Sequence, residues 1–187
     1  MVKKFFHYIT LIFYPILYVY LRFLKVHFQE LSGDYVKSRI KNKGHDLRIH
    51  GLIDVHDFDK LKIGDFCRIG RGAFFFCKGG LKIGNNVQFS RNVTIYTANH
   101  NFKTNIYPYN DDYLEKQVTI EDNVWIGMNV SILPGVRICK NSIIGMGSII
   151  TKDVPDNAIV VGNNRIIGYR KNNNDNYKQF GRLFPDS

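Results

Sequence analysis

From residue 120 to residue 150 the chain places an isoleucine at every sixth position: Ile120, Ile126, Ile132, Ile138, Ile144 and Ile150. Four positions after each stands a small or β-branched residue: Val124, Val130, Val136, Ser142, Ser148 and Val154. A helix face would alternate steps of three and four, and a half-buried strand would repeat at every second residue. A period of six fits neither. It fits a solenoid in which each hexad is a short strand plus a corner, with one aliphatic side chain turned inward on each face. Gly127 and Gly145, directly after core isoleucines, are expected to lend the corners backbone freedom.

The earlier half keeps the beat with a variation. Ile49 and Val55 are six apart, as are Ile63, Ile69 and Phe75, and again Ile83, Phe89 and Ile95. Between Val55 and Ile63, and between Phe75 and Ile83, the step is eight, and the same LKIG occurs at 61–64 and 81–84. Three hexads plus two residues therefore make a coil of twenty, and the extra pair emerges at one corner. The next step there, Ile95 to Ile120, is twenty-five. The segment NHNFKTNIYPYNDDYLEKQ, residues 99–117, is thus an enlarged corner bulge, with His100 at its root.

The two ends break the pattern. Residues 5–21, FFHYITLIFYPILYVYL, contain no Lys, Arg, Asp or Glu, while Lys3, Lys4, Arg22 and Lys25 flank them. As a helix this stretch is about 25 Å long, short of a bilayer core of about 30 Å. Pro15 weakens a straight span, and no small-x-small cleavage site marks a secretory signal. The reading is a kinked, partly inserted helix at the cytoplasmic membrane surface, the alternative being a segment packed on the solenoid or between subunits, with residues 26–48 expected to cover the open end of the first coil. The expected organisation is a hydrophobic helical segment at 1–32, the solenoid at 33–162 with its loop at 99–117, and a basic, Asn-rich tail at 163–187.

Charge and cysteines narrow the picture less. Twenty-six Lys and Arg against sixteen Asp and Glu give +10, which favours an anionic partner. No recognition helix or base-stacking motif accompanies the charge, which argues against nucleic acid. Cys67, Cys77 and Cys139 are far apart and form no CxxC pair, so neither a disulfide framework nor a zinc site is indicated, and a reducing cytoplasm is the default. His50 and His56 are six apart and so lie on different faces, which leaves no convergent metal ligands.

Across residues 46–162 the chain resembles the hexapeptide-repeat acyltransferases, most closely the galactoside, maltose and bacterial polysaccharide O-acetyltransferases. The resemblance is carried by NVWIG at 123–127, PGV at 134–136 and GMGSIITKDVP at 145–155. It implies an all-β solenoid, specifically a left-handed parallel β-helix, against the usual right-handed rule for parallel crossovers. It implies a homotrimer with acetyl-CoA as co-substrate in a groove between subunits, and no metal. His100, in TANHNF, matches the family's general base, which takes the proton of a sugar hydroxyl as it attacks the thioester without an acyl-enzyme. The backbone N–H of Met128 matches the oxyanion donor. Trp125, Gly127, Met128, Gly145, Met146, Thr151 and Lys152 are the expected CoA residues, with Arg165 and Arg170 for its phosphates.

The acceptor region departs from galactoside-type relatives. It reads IGRGAFFFCKGG at 69–80, so Gly70 and Lys78 stand where polar contacts are expected, and Phe74 to Phe76 suggest a corner with an aromatic outer surface. Lys78, Asn99, Asp111 and Asp112 are the acceptor candidates. Asp111, Asp112 and Glu115 are candidates either to orient His100 or to bind acceptor, and Tyr107, Tyr109 and Tyr113 are candidates to stack on a sugar ring. The expected reaction is O-acetylation of a surface polysaccharide or lipid-linked glycan precursor at the inner face of the cytoplasmic membrane. The alternative is a non-catalytic, membrane-attached solenoid scaffold.

Overall fold

The six-residue beat folds into a three-sided parallel β-solenoid, seen in a computed structural model that describes residues 2–105 and 107–171, with side chains from residue 13 onward. The first face stacks Asn42–Lys43, Leu61–Ile63, Leu81–Ile83, Val118–Ile120 and Arg137–Ile138. The second stacks Arg48–Ile49, Arg68–Ile69, Gln88–Phe89, Trp125–Ile126, Ile143–Ile144 and Ala158–Val161. The third stacks Asp54–His56, Phe74–Phe76, Thr94–Tyr96, Ser131–Ile132 and Ile149–Ile150. Pairing runs from each coil to the next, with Ile63 opposite Ile83, Ile83 opposite Ile120, and Ile120 opposite Ile138. Every hexad isoleucine from Ile120 to Ile150 is buried, as is each small or β-branched partner four residues on. The two-residue insertions and the long segment all leave at the corner between the third and first faces, as the spacing predicts.

Polar corners close the coils. At the first–second corner Asn86, Asn123, Asn141 and Asn157 adopt positive φ and pass side-chain amide hydrogen bonds from coil to coil, at 2.9, 3.1 and 3.0 Å. Asparagine tolerates this left-handed backbone because its short side chain bonds locally. The expectation for Gly127 and Gly145 needs correcting. Neither has a positive φ; that conformation falls two residues later, at Asn129 and Gly147. Gly127 and Gly145 are needed because a Cβ on either would press on the coil above.

Both ends differ from the expected boundaries. Helix α1 runs from Val2 to Arg39 through Pro15, and its last third lies on the first coil through Gly33, Val36 and the following Ile40, all buried. Gln29 also reaches the corner, with its Cβ 3.6 Å from where a Cβ on Gly51 would be. Of the expected tail, Arg165–Tyr169 is a strand paired antiparallel with Ala158–Val161, because Gly162 and Asn164 turn the chain back with positive φ. Residues 172–187 lie outside the described residues. Phe74–Phe76 form a flat strand of the third face instead of a corner: Phe75 points into the core, while Phe74 and Phe76 look outward.

Cys67 and Cys77 sit in this apolar interior, where burial pushes their thiols from an ordinary value of 9.0 up to about 11 and about 12. The unfolded chain releases these protons first, so the folded state holds more protons above about pH 9 and its stability falls as pH rises from there. At about pH 10.5 the loss should be roughly 1–2 kcal/mol per thiol. Urea unfolding at pH 8 and 10.5 checks this: Cys67→Ala/Cys77→Ala should lose stability less steeply with pH than the parent. Equal slopes would refute it.

Candidate active site

The enlarged third–first corner is an antiparallel hairpin, Ala98–His100 against Tyr113–Glu115, with His100 opposite Tyr113. Buried Thr97 fixes its base: its hydroxyl donates to the Phe76 carbonyl at 2.8 Å and its carbonyl accepts from the Lys116 N–H at 2.8 Å. The His100 imidazole is half-buried and held on every side. Nδ1 lies 3.2 Å from the Asn110 carbonyl oxygen, which can only accept, so in the neutral imidazole Nδ1 carries the proton and Nε2 the lone pair. The Tyr113 hydroxyl sits 3.3 Å from Nε2. The ring stacks on Tyr109 at 3.9 Å between centroids and lies against Tyr113 at 4.4 Å. Asp112 supports this indirectly: its carboxylate accepts from the Asn110 side-chain amide at 2.8 Å, and its carbonyl accepts from the Asn101 N–H at 2.8 Å.

Below His100 the outer third face is aromatic. Phe74 and Phe76 each lie 5.5 Å from Tyr96, and Phe76 lies 5.9 Å from Tyr113. Lys78 places its ammonium 4.6 Å from the Tyr113 ring centre, a cation–π contact.

A second group of expected residues gathers at the second–third corner. Gly127 and Met128 follow Ile126, and Gly145 and Met146 follow Ile144 one coil on, with the Gly147 N–H donating to the Met128 carbonyl at 2.8 Å. The N–H groups of Met128 and Met146 donate to no other group among the described residues. Met146 is 69% exposed. Trp125 stands on the outer second face, 52% exposed. Thr151 and Lys152 leave the third face just past Ile150, and the Asn164 side chain accepts from both their N–H groups, at 3.1 and 3.3 Å.

The chain therefore brings Lys78 and Asp112 to His100, and Gly127, Met128, Gly145 and Met146 to one another. His100 and Met128 stand at different corners. Asn99 neighbours His100 on the hairpin and is exposed, as is Asp111, which makes no hydrogen bond or ion pair with another described residue. Arg165 and Arg170 are at opposite ends of the last strand; Arg165 is exposed, and Arg170 donates to the Asn141 carbonyl at 3.1 Å, at the first–second corner. Glu115 pairs with Lys60 at 3.1 Å instead of orienting His100. The orienting group that the sequence reading missed is the Asn110 carbonyl; the NDD turn at 110–112, an Asx-type pattern, was the available signal. Glu121, Cys139 and Asp156 form the cluster with metal-like spacing among the described residues, but Arg137 holds Glu121 and Lys140 lies 3.5 Å from Asp156.

The three-sided coil and its single extruded hairpin define a left-handed β-helix of the hexapeptide type, the class to which similar solved structures belong. The acetyl-CoA complex of a hexapeptide-repeat acetyltransferase from Vibrio cholerae superimposes with TM-score 0.66 at 26% identity, covering 74% of this chain and 76% of that one. A maltose O-acetyltransferase from Clostridium difficile gives TM-score 0.60 at 26% identity over 79% and 89%. Residues 117–152 match the family described as bacterial transferase hexapeptide (six repeats). The galactoside O-acetyltransferase of Lactococcus lactis is 46% identical over 98 residues, which are 52% of this chain and 46% of that protein. The chain thus spans about half the length of the curated relatives it matches. What the chain shares with these proteins is the hexapeptide-repeat fold and, over residues 117–152, the repeat sequence itself.

Proposed function

We propose that the protein is an acetyl-CoA-dependent O-acetyltransferase acting on a sugar hydroxyl of a surface polysaccharide or lipid-linked glycan precursor. The observation that carries this is the imidazole of His100, fixed with its proton on the Asn110 side and its Nε2 lone pair turned to Tyr113. The acceptor hydroxyl takes the place of the Tyr113 hydroxyl at Nε2 and gives up its proton there. Its oxygen attacks the thioester carbonyl, the C–S bond breaks, and the imidazolium returns the proton to the CoA sulfur. The free Met128 N–H carries the developing oxyanion. A neighbouring copy completes the site: with His100 and Met128 at different corners of one prism, a closed threefold ring sets the hairpin of one subunit beside the Met128 corner of the next. The thioester arm runs past Gly127, Gly145 and Met146, where missing side chains and free N–H groups suit close backbone contact, toward Thr151, Lys152 and Arg165.

The acceptor class rests on the aromatic third face, since sugar rings stack on such surfaces, and on α1. From Phe13 to Phe28 large apolar side chains of α1 are exposed around the helix, with Arg22 and Lys25 among them. Among the described residues no helix is long and apolar enough to cross a membrane, and α1 is proposed to lie at the lipid surface. Incubating the purified protein with acetyl-CoA and a panel of glycosides, reading CoA thiol release and acetylated product by mass spectrometry, tests the reaction. Failure to bind acetyl-CoA sinks it. Light scattering in detergent tests the trimer, which a fully active monomer would exclude.

Tyr113 supplies a finer prediction. Tyr113→Phe keeps the ring against His100 and removes a hydrogen bond, worth about 0.5–1.5 kcal/mol, that the acceptor must displace, so KM for the acceptor should fall about two- to tenfold with kcat little changed. Tyr113→Ala also frees the His100 ring and should lower kcat. Equal rates for all three proteins would remove Tyr113 from the positioning of the base.

A further inference from the structure

The coils on the N-terminal side of Met128 carry two arginines at the same corner. Ile69, Phe89 and Ile126 are successive partners on the second face, so the residues two places on, Arg71, Arg91 and Met128, are successive rungs of one column. The corner hydrogen bonds confirm the stacking: the Asn92 N–H donates to the Arg71 carbonyl at 3.0 Å, and the Asn129 N–H to the Arg91 carbonyl at 3.0 Å. Rungs of parallel coils are about 4.8 Å apart, so the two guanidinium groups start about one and two rungs from the Met128 N–H. Both arginines are exposed, and neither side chain has a hydrogen-bond or ion-pair partner among the described residues.

They line a groove of about 630 Å³ that reaches Met128 at one end and is walled by Gln29 and Glu30 of α1. Gly51 lets α1 come this close. It has φ +87, and a Cβ there would lie 3.1 Å from the Arg71 Cβ and 3.6 Å from the Gln29 Cβ. His50, which also lines the groove, has its pKa lowered by partial burial and then by Arg68 and Arg48, so the charge of the groove at neutral pH comes from the arginines and Glu30.

We propose that Arg71 and Arg91 form an anion subsite that binds the phosphate of a phosphorylated sugar acceptor, placing its hydroxyl at the Met128 end of the groove. The proposal rests on the acetyl-transfer reading and narrows its acceptor. Two unpaired guanidinium forks on adjacent rungs suit a phosphate ester, which each binds through paired N–H groups. Gln29 and Glu30 opposite accept from sugar hydroxyls. The phosphates of CoA lie a full pantetheine arm from the thioester, farther than one or two rungs, which assigns these arginines to the acceptor.

The test uses the full-length protein and Arg71→Gln/Arg91→Gln, with a hexose 1-phosphate, the free hexose, and the lipid-linked diphosphate of the same hexose in detergent micelles. Calorimetry should show binding of the hexose phosphate that weakens with salt and falls at least tenfold in the variant. The kcat/KM ratio of hexose phosphate to free hexose should fall by a similar factor. Parallel loss for the lipid-linked compound shows that the phosphate is what the site reads, whatever carries it. Binding of the lipid-linked compound that survives in the variant means that lipid is held instead, and overturns the assignment. So does a wild-type protein that binds no hexose phosphate, a variant whose KM for acetyl-CoA rises while the ratio stays constant, or a variant whose oligomer dissociates. Phosphate binding that depends on both arginines, without acetyl transfer to any acceptor, would leave the subsite standing and sink the transferase reading instead.

Discussion

His100→Ala is expected to lower kcat about 10²- to 10⁴-fold, the range for removal of a positioned general acid–base group, while acetyl-CoA affinity and the fold stay close to those of the parent. The core does not depend on this side chain: His100 is on the hairpin, beyond buried Thr97, and its contacts are with Asn110, Tyr109 and Tyr113 of the same extrusion. A loss confined to kcat with KM for acetyl-CoA unchanged is what removal of an interaction made only in the transition state looks like. Circular dichroism and calorimetry with CoA supply the controls. A variant that retains more than about a tenth of parental turnover would take the base away from His100.

Gly127→Ala should cost kcat about 10²–10³-fold, comparable to losing an oxyanion donor. The added Cβ would lie 2.6 Å from the Met146 nitrogen, 2.8 Å from the Ile144 oxygen and 2.9 Å from the Gly145 carbonyl carbon, all backbone of the next coil. Backbone cannot rotate out of the way as a side chain can, so the corner must move, and the Met128 N–H is the very next peptide. Gly168→Ala, where nothing lies within 4 Å of the added atom, is the control and should keep its activity. If Gly127→Ala turns over at a rate close to that of the parent, the oxyanion is held elsewhere.

The solenoid was legible because its signal is additive: each coil repeats one requirement, an inward aliphatic residue per face, and six isoleucines in register leave no competing period. The hairpin was legible as a gap in that beat. What the sequence did not reveal depends on single contacts across the stack. The amide chain Asn86–Asn123–Asn141–Asn157 joins residues whose spacing changes from 37 to 18 to 16, so no fixed period exposes it. The orientation of His100 rests on a backbone carbonyl, which every residue possesses. Arg165 and Arg170 look like one phosphate clamp in sequence, yet a five-residue strand carries them to different corners.

The ends of the stack have a consequence for colloidal behaviour. A parallel solenoid is a row of open strand edges at both ends, and such edges template head-to-tail growth into fibres. Here α1 lies over the first coil, and the last second-face strand reverses direction, so an incoming coil would meet an antiparallel edge carrying Arg165 and Gly168 instead of a copy of its own register. Among the described residues, neither the α1-covered first coil nor the second-face edge of the last coil therefore offers a matching parallel edge for head-to-tail growth.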